Sequence, residues 1–513
     1  MKRAPLGDPH ESPQERETFA LVDDEAARKP DPVEAPEPEP QDEAPGEQGE
    51  VAQVDEGQPD ELEEAGQEEA PTANGGPHLT APAGSLKRFH RALRKRQRDP
   101  VVAVQYGDSH STDGSMIRAM RDHFSQGAPP SPSYVTPSQS ARWNARVRKE
   151  GKWKRQNWLR RADEGSFGPA GLAWVSDDPG ASLTLELEDG PSPPGTEVTL
   201  LYARQKNHLP LEISAGNKVL KRIKSARKPR RGVELGRVTV ALPSGTEEVT
   251  VEIACRRCAR GASVRVFGWV VHLPGAVVEW DNFGVIGTAT RSLYRRTDQT
   301  LTSYLKWRDP DLLVVWYGAN AVPADGDNLD MGRYQERYKE VVQNLKKSAP
   351  KASCLIIGPP DMAYYPEKTC FMNRRERRVA KKRKLSGADR RYLRKNRTAR
   401  ACDPDSLIKR RGRKIVEYPG PKVNTPRQWT AYVKRCSPYS PRMLPTMIKA
   451  QKEVAQELGC AYFDSFAAMG GAGTLPKWTC EEPPRASADL VHMTRPGYET
   501  VADLLLRELD PQY

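Results

Sequence analysis

The chain has 513 residues, with 80 Lys and Arg against 68 Asp and Glu, and a formal net charge of +12. This length leaves room for more than one folded core, while a mean hydropathy of −0.73 and 45 prolines indicate long stretches that cannot bury enough apolar surface to fold. No run approaches 18 apolar residues, which excludes a predicted membrane-spanning helix.

The first part of the chain is acidic and poor in apolar residues. Residues 1–80 contain 23 Asp and Glu against five Lys and Arg, a net charge of −18. We therefore predict that residues 1–85 form a disordered tail. Residues 1–28 contain no apolar stretch of the kind that a secretory signal needs.

The first predicted strand and helix enclose a serine. Residues 100–104 are strand-like, and residues 113–126 carry apolar side chains at the helical repeat. Between them stands Gly107-Asp108-Ser109-His110, which places Ser109 at the carboxyl end of a strand. Ser109 is a candidate nucleophile if the chain also supplies a base and oxyanion donors. The alternative is an ordinary serine cap.

The next segment, at about 165–275, is predicted to be all-β. Several short stretches alternate between apolar and polar residues and are separated by turn residues, which is typical of a β-sandwich or jelly roll. These stretches are residues 182–188, 197–202, 237–242, 248–253 and 263–271. Trp174, Tyr202 and Trp269 are either core residues or platforms for a sugar ring.

Two further buried strands lead into candidate oxyanion donors. Residues 277–280 precede a loop with Gly287, whose backbone N–H can approach a substrate closely. Residues 311–317 end in Gly318-Ala319-Asn320, where the Asn320 side-chain amide can donate to an oxyanion.

Residues 366–440 form a basic insertion before the helix predicted at residues 445–458. They contain 24 Lys and Arg against six Asp and Glu, a net charge of +18, and few apolar positions for a core. The insertion could bind nucleic acid, an acidic envelope polymer or membrane surface, or the acidic tail. It could also be a solvated loop without a partner, and we regard nucleic acid as an unlikely ligand.

The eight cysteines fall into two groups. Cys354 and Cys460 lie in apolar strand runs and are predicted to be inert core residues. The other six are candidate disulfide cysteines: Cys255 and Cys258 as a small-loop disulfide or a free pair, and Cys370, Cys402, Cys436 and Cys480 bonded among themselves. A zinc site at Cys255 and Cys258 lacks a second ligand pair, so we expect no metal and no cofactor.

A candidate base lies near the end of the chain. Asp489 and His492 are three residues apart in the loop that enters a predicted helix, residues 498–509. A carboxylate at this spacing can fix the tautomer of the histidine and stabilise its charged form. His110, beside the serine, could contact substrate but is poorly placed to act as the base.

The motifs at Ser109, Gly287, Asn320 and Asp489–His492, in this order, resemble the four blocks of the SGNH or GDSL-type hydrolases. The resemblance covers roughly residues 95–126, 276–362 and 443–511. The resemblance implies Ser109 as nucleophile, His492 as base and Asp489 as its orienting acid. It also implies an oxyanion hole from the Ser109 and Gly287 backbone N–H groups and the Asn320 amide. Two positions depart from the pattern of many relatives, Ile286 before the glycine and Ala321 after the asparagine.

Three further sequence segments resemble the bacterial peptidoglycan O-acetylesterase branch. In that branch a β-sandwich similar to a carbohydrate-binding module interrupts the hydrolase domain. They stand at residues 168–172, 358–361 and 459–471. The resemblance implies an esterase acting on an O-acylated polysaccharide, and a location in the cell envelope. An O-acetyltransferase, or a polysaccharide- or polyanion-binding protein with a relic hydrolase core, remains an alternative.

The predicted fold class is therefore α/β, a flavodoxin-like three-layer α/β/α core with two insertions. The expected divisions are a tail (1–85), a first core part (86–164), a sandwich (165–275), a second core part (276–365), the basic insertion (366–440) and a third core part (441–513).

Overall fold

The structure, a computed structural model, contains nineteen strands in the part of the chain that it describes. The described residues are 77–95, 99–129, 131–136, 145–157, 167–188, 190–224, 232–255, 258, 260–294, 299–322, 329–367, 370–372, 374–382, 386–389, 397–411, 413–419 and 423–510. In chain order the strands are β1 (Leu79–Thr80), β2 (Val101–Gly107), β3 (Ser133–Val135), β4 (Ala145–Glu150), β5 (Lys154–Asn157), β6 (Leu172–Ser176), β7 (Ser182–Leu187), β8 (Glu197–Arg204), β9 (Leu211–Ala215), β10 (Lys218–Ile223), β11 (Glu234–Ala241), β12 (Glu248–Ile253), β13 (Val264–His272), β14 (Val278–Gly284), β15 (Leu312–Trp316), β16 (Ser353–Ile357), β17 (Lys409–Arg411), β18 (Lys414–Glu417) and β19 (Ala461–Phe463).

The helices flank these strands in sequence. They are α1 (Lys87–Lys95), α2 (Ser109–Thr112), α3 (Ser115–Ser125), α4 (Thr290–Tyr294), α5 (Gln299–Arg308), α6 (Met331–Ser348), α7 (Arg374–Ala380), α8 (Arg397–Cys402), α9 (Pro426–Arg435), α10 (Met443–Glu457), α11 (Ser465–Met469), α12 (Thr474–Thr479) and α13 (Arg495–Leu509). Two 3₁₀ turns span Ala319–Ala321 and Pro404–Leu407.

Five parallel strands form the sheet of the α/β core, in the order β14-β2-β15-β16-β19. Numbered along the chain, this order is 2-1-3-4-5, that of flavodoxin-like sheets. The strands are apolar on both faces because helices cover both. One face packs against α5, α6 and α10, and the other packs against α1, α3 and α13, so the core has three layers.

The antiparallel edge strand β1 corrects the predicted tail boundary. The expected disordered tail lies outside the described residues as far as residue 76, but Leu79 and Thr80 pair with β19. Leu79 is buried, and the backbone N–H groups of His78 and Leu79 donate to the Glu508 carboxylate. The core therefore begins before the predicted residue 86. The sequence did not reveal this strand because two residues are too few to show a periodic pattern.

Two antiparallel sheets, here called the two-sheet region, follow α3. Their strand orders are β10-β9-β12-β7-β4 and β11-β8-β13-β6-β5, with β3 paired to β13. Side chains of both sheets share one apolar cluster, which includes Trp269 and Tyr202. These two aromatics are therefore core residues.

The two-sheet region begins near residue 133, and the predicted start at 165 is wrong. Strands β3, β4 and β5 precede that position and pair with strands of the two-sheet region. Strands β4 (ARVRKE) and β5 (KRQN) are edge strands, and their charged residues suit an edge but hide the alternation that sequence analysis relies on.

A buried polar network joins the two-sheet region to the core. Asp281 on β14 is fully buried and accepts hydrogen bonds from Tyr304 (2.7 Å), Arg308 (2.7 Å) and the Ser133 hydroxyl. Glu279, two residues earlier on the same strand, bonds to Arg308 and to His272 on β13. Because each carboxylate is paired, the buried charges are compensated.

The basic insertion has a small core of its own, contrary to the sequence expectation. The cluster comprises Cys370, Phe371, Tyr418, Val423, Trp429, Tyr432 and Cys436. Phe371 and Tyr418 belong to no repeat, but Trp429, Tyr432 and Cys436, with the half-buried Val433, follow the helical spacing of α9, a signal that sequence analysis missed. Large aromatic side chains bury much surface per residue, so few of them suffice.

The structure contains four disulfides. Three join the predicted disulfide cysteines: Cys255–Cys258, Cys370–Cys436 and Cys402–Cys480. The fourth, Cys354–Cys460, corrects the prediction of two inert core thiols. Strands β16 and β19 are parallel neighbours with Leu355 opposite Ala461, so the residues just before these two lie opposite each other as well. No helix in the described part of the chain is long and apolar enough to cross a membrane.

Candidate active site

Ser109 lies just after the carboxyl end of β2, the strand between β14 and β15 in the sheet. Asp108 caps the short helix α2, and its carboxylate accepts a hydrogen bond of 3.0 Å from the His110 backbone N–H. At Gly107, an added Cβ would lie 1.8 Å from the Ser111 hydroxyl oxygen. Only glycine therefore permits this tight turn, which presents Ser109 at the edge of the sheet.

Asp489 and His492 lie in the turn before α13, as the sequence predicts. One Asp489 oxygen accepts from the backbone N–H groups of Val491 and His492, both at 2.9 Å, and so closes the turn. The other oxygen lies 2.9 Å from His492 Nδ1. The Leu490 carbonyl also accepts from the Ala363 N–H at 2.7 Å, which ties the turn to the segment after β16.

The structure brings the serine and the histidine together. His492 Nε2 lies 2.9 Å from Ser109 Oγ, although 383 residues separate the two in sequence. Because the Asp489 carboxylate can only accept, Nδ1 carries the ring proton, and Nε2 accepts the hydrogen of the Ser109 hydroxyl. The three side chains form one directed chain of hydrogen bonds.

The charges of the site favour an ionised aspartate and a strengthened base. Burial raises the pKa of the Asp489 carboxyl, but the hydrogen bond and positive charge of His492 outweigh it and lower this pKa to about 2. Burial lowers the pKa of His492, but the hydrogen bond and negative charge of Asp489 raise it above its usual value. His492 is therefore a better proton acceptor than a free imidazole.

Two of the three predicted oxyanion donors, Gly287 and Asn320, lie on neighbouring turns at the same edge. The Val285 N–H donates to the Gly107 carbonyl at 3.0 Å, which places the Gly287 loop beside the serine turn. Gly287 has φ +76° and is exposed. The Asn320 amide donates to the Thr288 carbonyl at 3.0 Å, so the two loops are joined to each other.

Asp108 is a residue of the site whose role sequence analysis did not identify. It is fully buried, and burial raises its pKa to about 7 against the opposing hydrogen bonds from the N–H groups of His110, Gly318 and Ala319. These contacts join the serine turn to the turn that carries Asn320. The only signal was its position beside Ser109.

His110 is buried, so its ring offers almost no surface for the substrate contact that the sequence suggested. It is 1% exposed, and its ring centroid lies 5.3 Å from that of His492 and 5.9 Å from that of Trp316. Neither ring nitrogen has a hydrogen-bond partner among the described residues. Burial, followed by the charge of His492, lowers the pKa of His110 to about 3, so its ring stays neutral.

A hydroxyl, a strengthened imidazole base and an orienting carboxylate are the parts that nucleophilic acyl transfer requires. A model of the GDSL-like lipase/acylhydrolase family matches residues 258–505, a range that contains Gly287, Asn320, Asp489 and His492. Residues 258–505 therefore form a GDSL-type acylhydrolase domain, and the chain is an ester hydrolase. The matched range begins after Ser109, which precedes the two-sheet region.

One solved structure has a similar fold. A peptidoglycan O-acetylesterase shares 18% sequence identity with this hydrolase and a TM-score of 0.56, over 84% of this chain and 97% of that chain. A putative GDSL-like lipase from Parabacteroides merdae shares 14% identity and a TM-score of 0.24, over 45% of this chain and 72% of that one. A comparison with curated protein sequences gave no match.

Proposed function

We propose that this hydrolase removes O-acetyl or other short acyl groups from a polysaccharide, with peptidoglycan as the first candidate. The observation that carries the proposal is the hydrogen-bond chain from Ser109 through His492 to Asp489, with both links at 2.9 Å. The fold similarity to a peptidoglycan O-acetylesterase supports the choice of substrate. We take the two-sheet region as the inserted β-sandwich expected in that branch. We propose on the same resemblance that this region binds carbohydrate.

In the proposed mechanism, Ser109 Oγ attacks the ester carbonyl carbon while its proton passes to His492 Nε2. The resulting imidazolium is stabilised by the Asp489 carboxylate. His492 then gives the proton to the oxygen of the leaving sugar hydroxyl, the ester C–O bond breaks, and an acyl group remains on Ser109. Water, deprotonated by His492, attacks this acyl-enzyme and releases the acid and the free serine.

The developing oxyanion would be held by three donors: the Ser109 and Gly287 backbone N–H groups and the Asn320 amide. Two contacts support this part of the proposal, the bond from Asn320 to Thr288 and that from Val285 to Gly107, because they fix both loops before substrate arrives. Donors aimed in advance at the oxyanion contribute about 10²- to 10³-fold each to the rate.

The test is acetate release from a small acetyl ester and from O-acetylated peptidoglycan, measured for the native chain and for Ser109→Ala. We expect release from both substrates by the native chain and none above background by the variant. Equal melting temperatures of the two proteins would show that the fold is unchanged. Release that does not depend on Ser109 would contradict the mechanism, and release from the small ester alone would contradict the polysaccharide substrate.

A further inference from the structure

The basic insertion presents a row of exposed cations on a folded hairpin. Strands β17 and β18 pair antiparallel, and Arg410, Arg411, Arg413 and Lys414 are all exposed. None of these four side chains, here called the basic hairpin, forms an ion pair with another residue that the structure describes. Helix α9 adds three more exposed cations, Arg427, Lys434 and Arg435.

The hairpin and α9 are held on one small core. Ile408 and Ile415, at the two strands, pack against the cluster that contains Trp429 of α9. The Trp429 indole N–H also bonds to Asp405, in the 3₁₀ turn before β17. The Cys370–Cys436 disulfide closes the base of this cluster. The cations are therefore carried by an ordered scaffold.

The scaffold is fixed to the segments that hold Asp489 and His492. At its base, Tyr364 and Tyr439 form an antiparallel backbone bridge, and the neighbouring Ala363 N–H bonds to the Leu490 carbonyl in the turn of the candidate base. The negative charge of Asp489 also contributes to raising the pKa of Tyr364, after burial. The base of the insertion thus contacts the turn that carries the candidate catalytic pair.

A second attachment reaches the same turn. The Cys402–Cys480 disulfide joins α8 to the end of α12. The last residue of α12, Thr479, bonds through its hydroxyl to the Ser487 carbonyl, two residues before Asp489. The insertion is therefore connected to residues 487–492 at two carbonyls, those of Leu490 and Ser487.

We propose that the basic hairpin binds an anionic polysaccharide, so that the substrate of this esterase is an O-acylated polymer that carries carboxylates or phosphates along its chain. The inference rests on the proposed function and narrows its substrate class. A polysaccharide is favoured over nucleic acid or the acidic tail because the cations are attached to the turn that holds the candidate base of an ester hydrolase. A polymer bound at the hairpin is therefore bound by a segment that is attached to the turn of the candidate base.

The interaction should be sensitive to salt. All four side chains of the hairpin are exposed, and exposed charges are screened over about 8–10 Å at physiological ionic strength. Replacing three of them is expected to weaken binding about tenfold at low salt, since each exposed charge contributes modestly.

The experiment measures binding separately from catalysis. Full-length protein carrying Ser109→Ala is titrated with soluble O-acetylated glycan strands of peptidoglycan, and with the same strands after their carboxylates are converted to amides. Arg410→Gln/Arg411→Gln/Arg413→Gln is added to this background. The matched control is Arg91→Gln/Arg94→Gln/Lys95→Gln, which removes the same charge from exposed positions of α1. Helix α1 flanks the opposite end of the strands, where Arg88 pairs with Asp311 just before β15.

We expect the hairpin variant to bind the anionic strands about tenfold more weakly, and the α1 variant to bind them as before. The difference in affinity between the two variants should disappear in about 0.5 M salt or with amidated strands. Equal losses in both variants, no loss in either, or tighter binding of double-stranded DNA than of the glycan would overturn the inference. Hydrolysis of a small neutral ester by the same variants, with Ser109 restored, should be unchanged. Absence of that hydrolysis in the native chain would refute the proposed function instead.

Discussion

The carboxyl edge of the core sheet buries its polar side chains, whereas the basic insertion exposes its charged ones to solvent. At the edge, Ser109, His492, Asp489 and Asp108 are at least largely buried and bonded to one another or to backbone N–H groups. In the insertion, the cations of the basic hairpin are exposed, and a small aromatic core supports the hairpin that carries them. The first arrangement sets proton affinities over a few ångströms, and the second creates a field that salt can screen.

Two disulfides show the same contrast in exposure. Cys354–Cys460 is buried within the sheet, with both residues at most 2% exposed. The insertion has a buried disulfide as well, Cys370–Cys436, in its aromatic core. Its link to α12, Cys402–Cys480, is exposed at both residues, so solvent can reach this attachment.

The largest expected effect separates the two regions completely. Ser109→Ala removes the nucleophile but leaves the basic hairpin unchanged. We expect hydrolysis of a small acetyl ester to fall by about 10⁴-fold or more, because the members of a triad act as a unit. Binding of anionic glycan strands, measured by titration, should stay within twofold of the native value.

The next effect tests the electrostatics of the carboxyl edge. Asp489→Asn keeps the shape of the turn but removes the negative charge that raises the pKa of His492. We expect kcat/KM for the small ester to fall by about 10³- to 10⁴-fold, because the ring loses its fixed tautomer and its charge partner. The measurement is a kcat/KM profile from pH 4 to pH 9.

The sign of the pH effect is fixed by the role of the base. His492 must be neutral to accept a proton, so kcat/KM rises with pH through its raised pKa in the native chain. Without Asp489, the midpoint of this rise should move to lower pH. A midpoint that stays in place would mean that another group controls the acid limb.

The sequence predicted the carboxyl edge better than the insertion for a physical reason. Buried parallel strands are continuous apolar runs, and the residues after them meet at one edge, so the positions of Ser109, Gly287 and Asn320 could be predicted. Asp489 and His492 are predicted from their spacing in the loop before the last helix, and the roles of all five rest on the family resemblance. Their contacts depend on the fold as a whole, and the pairing of β2 with β14 and β15 supplies them.

What the sequence did not predict lacks a clear periodic signal. The polar edge strands β4 and β5 and the two-residue strand β1 show no clear repeat of two residues, and Phe371 and Tyr418 of the insertion's core belong to no repeat. The helical spacing of Trp429, Tyr432 and Cys436 was present but is too short to stand out in a strongly basic segment. The Cys354–Cys460 disulfide follows from strand register, which composition does not give. Neutral His110 is a consequence of burial, and a residue's burial is decided by its neighbours in space.

A smaller effect should be confined to the insertion. Cys402→Ser/Cys480→Ser opens a link between residues 78 apart in sequence, which by chain entropy removes about 4 kcal/mol from the unfolding free energy of the linked segment. We expect a lower melting temperature by calorimetry and weaker glycan binding, with kcat for the small ester within about threefold of native. Because the cysteines are exposed, mild reductant should open this disulfide before Cys354–Cys460. The reverse order, measured by mass spectrometry of trapped thiols, would contradict the contrast drawn between the two regions.

The smallest effect concerns the histidine that does not react. His110→Phe retains a ring against His492 and Trp316, so we expect kcat/KM to change by less than about tenfold and its acid midpoint to stay where it is, unlike that of Asp489→Asn. In the native chain His110 has a pKa of about 3 folded against an ordinary value of 6.5 unfolded, so the unfolded state binds the extra proton and stability falls as pH drops below 6.5. The variant lacks this term and should gain about 2 kcal/mol relative to the native chain between pH 8 and pH 5, measured by urea unfolding. His110→Leu provides a second variant that also cannot titrate. If both variants lose the acid limb of kcat/KM, His110 takes part in proton transfer, and the assignment of His492 as the only base of the carboxyl edge fails.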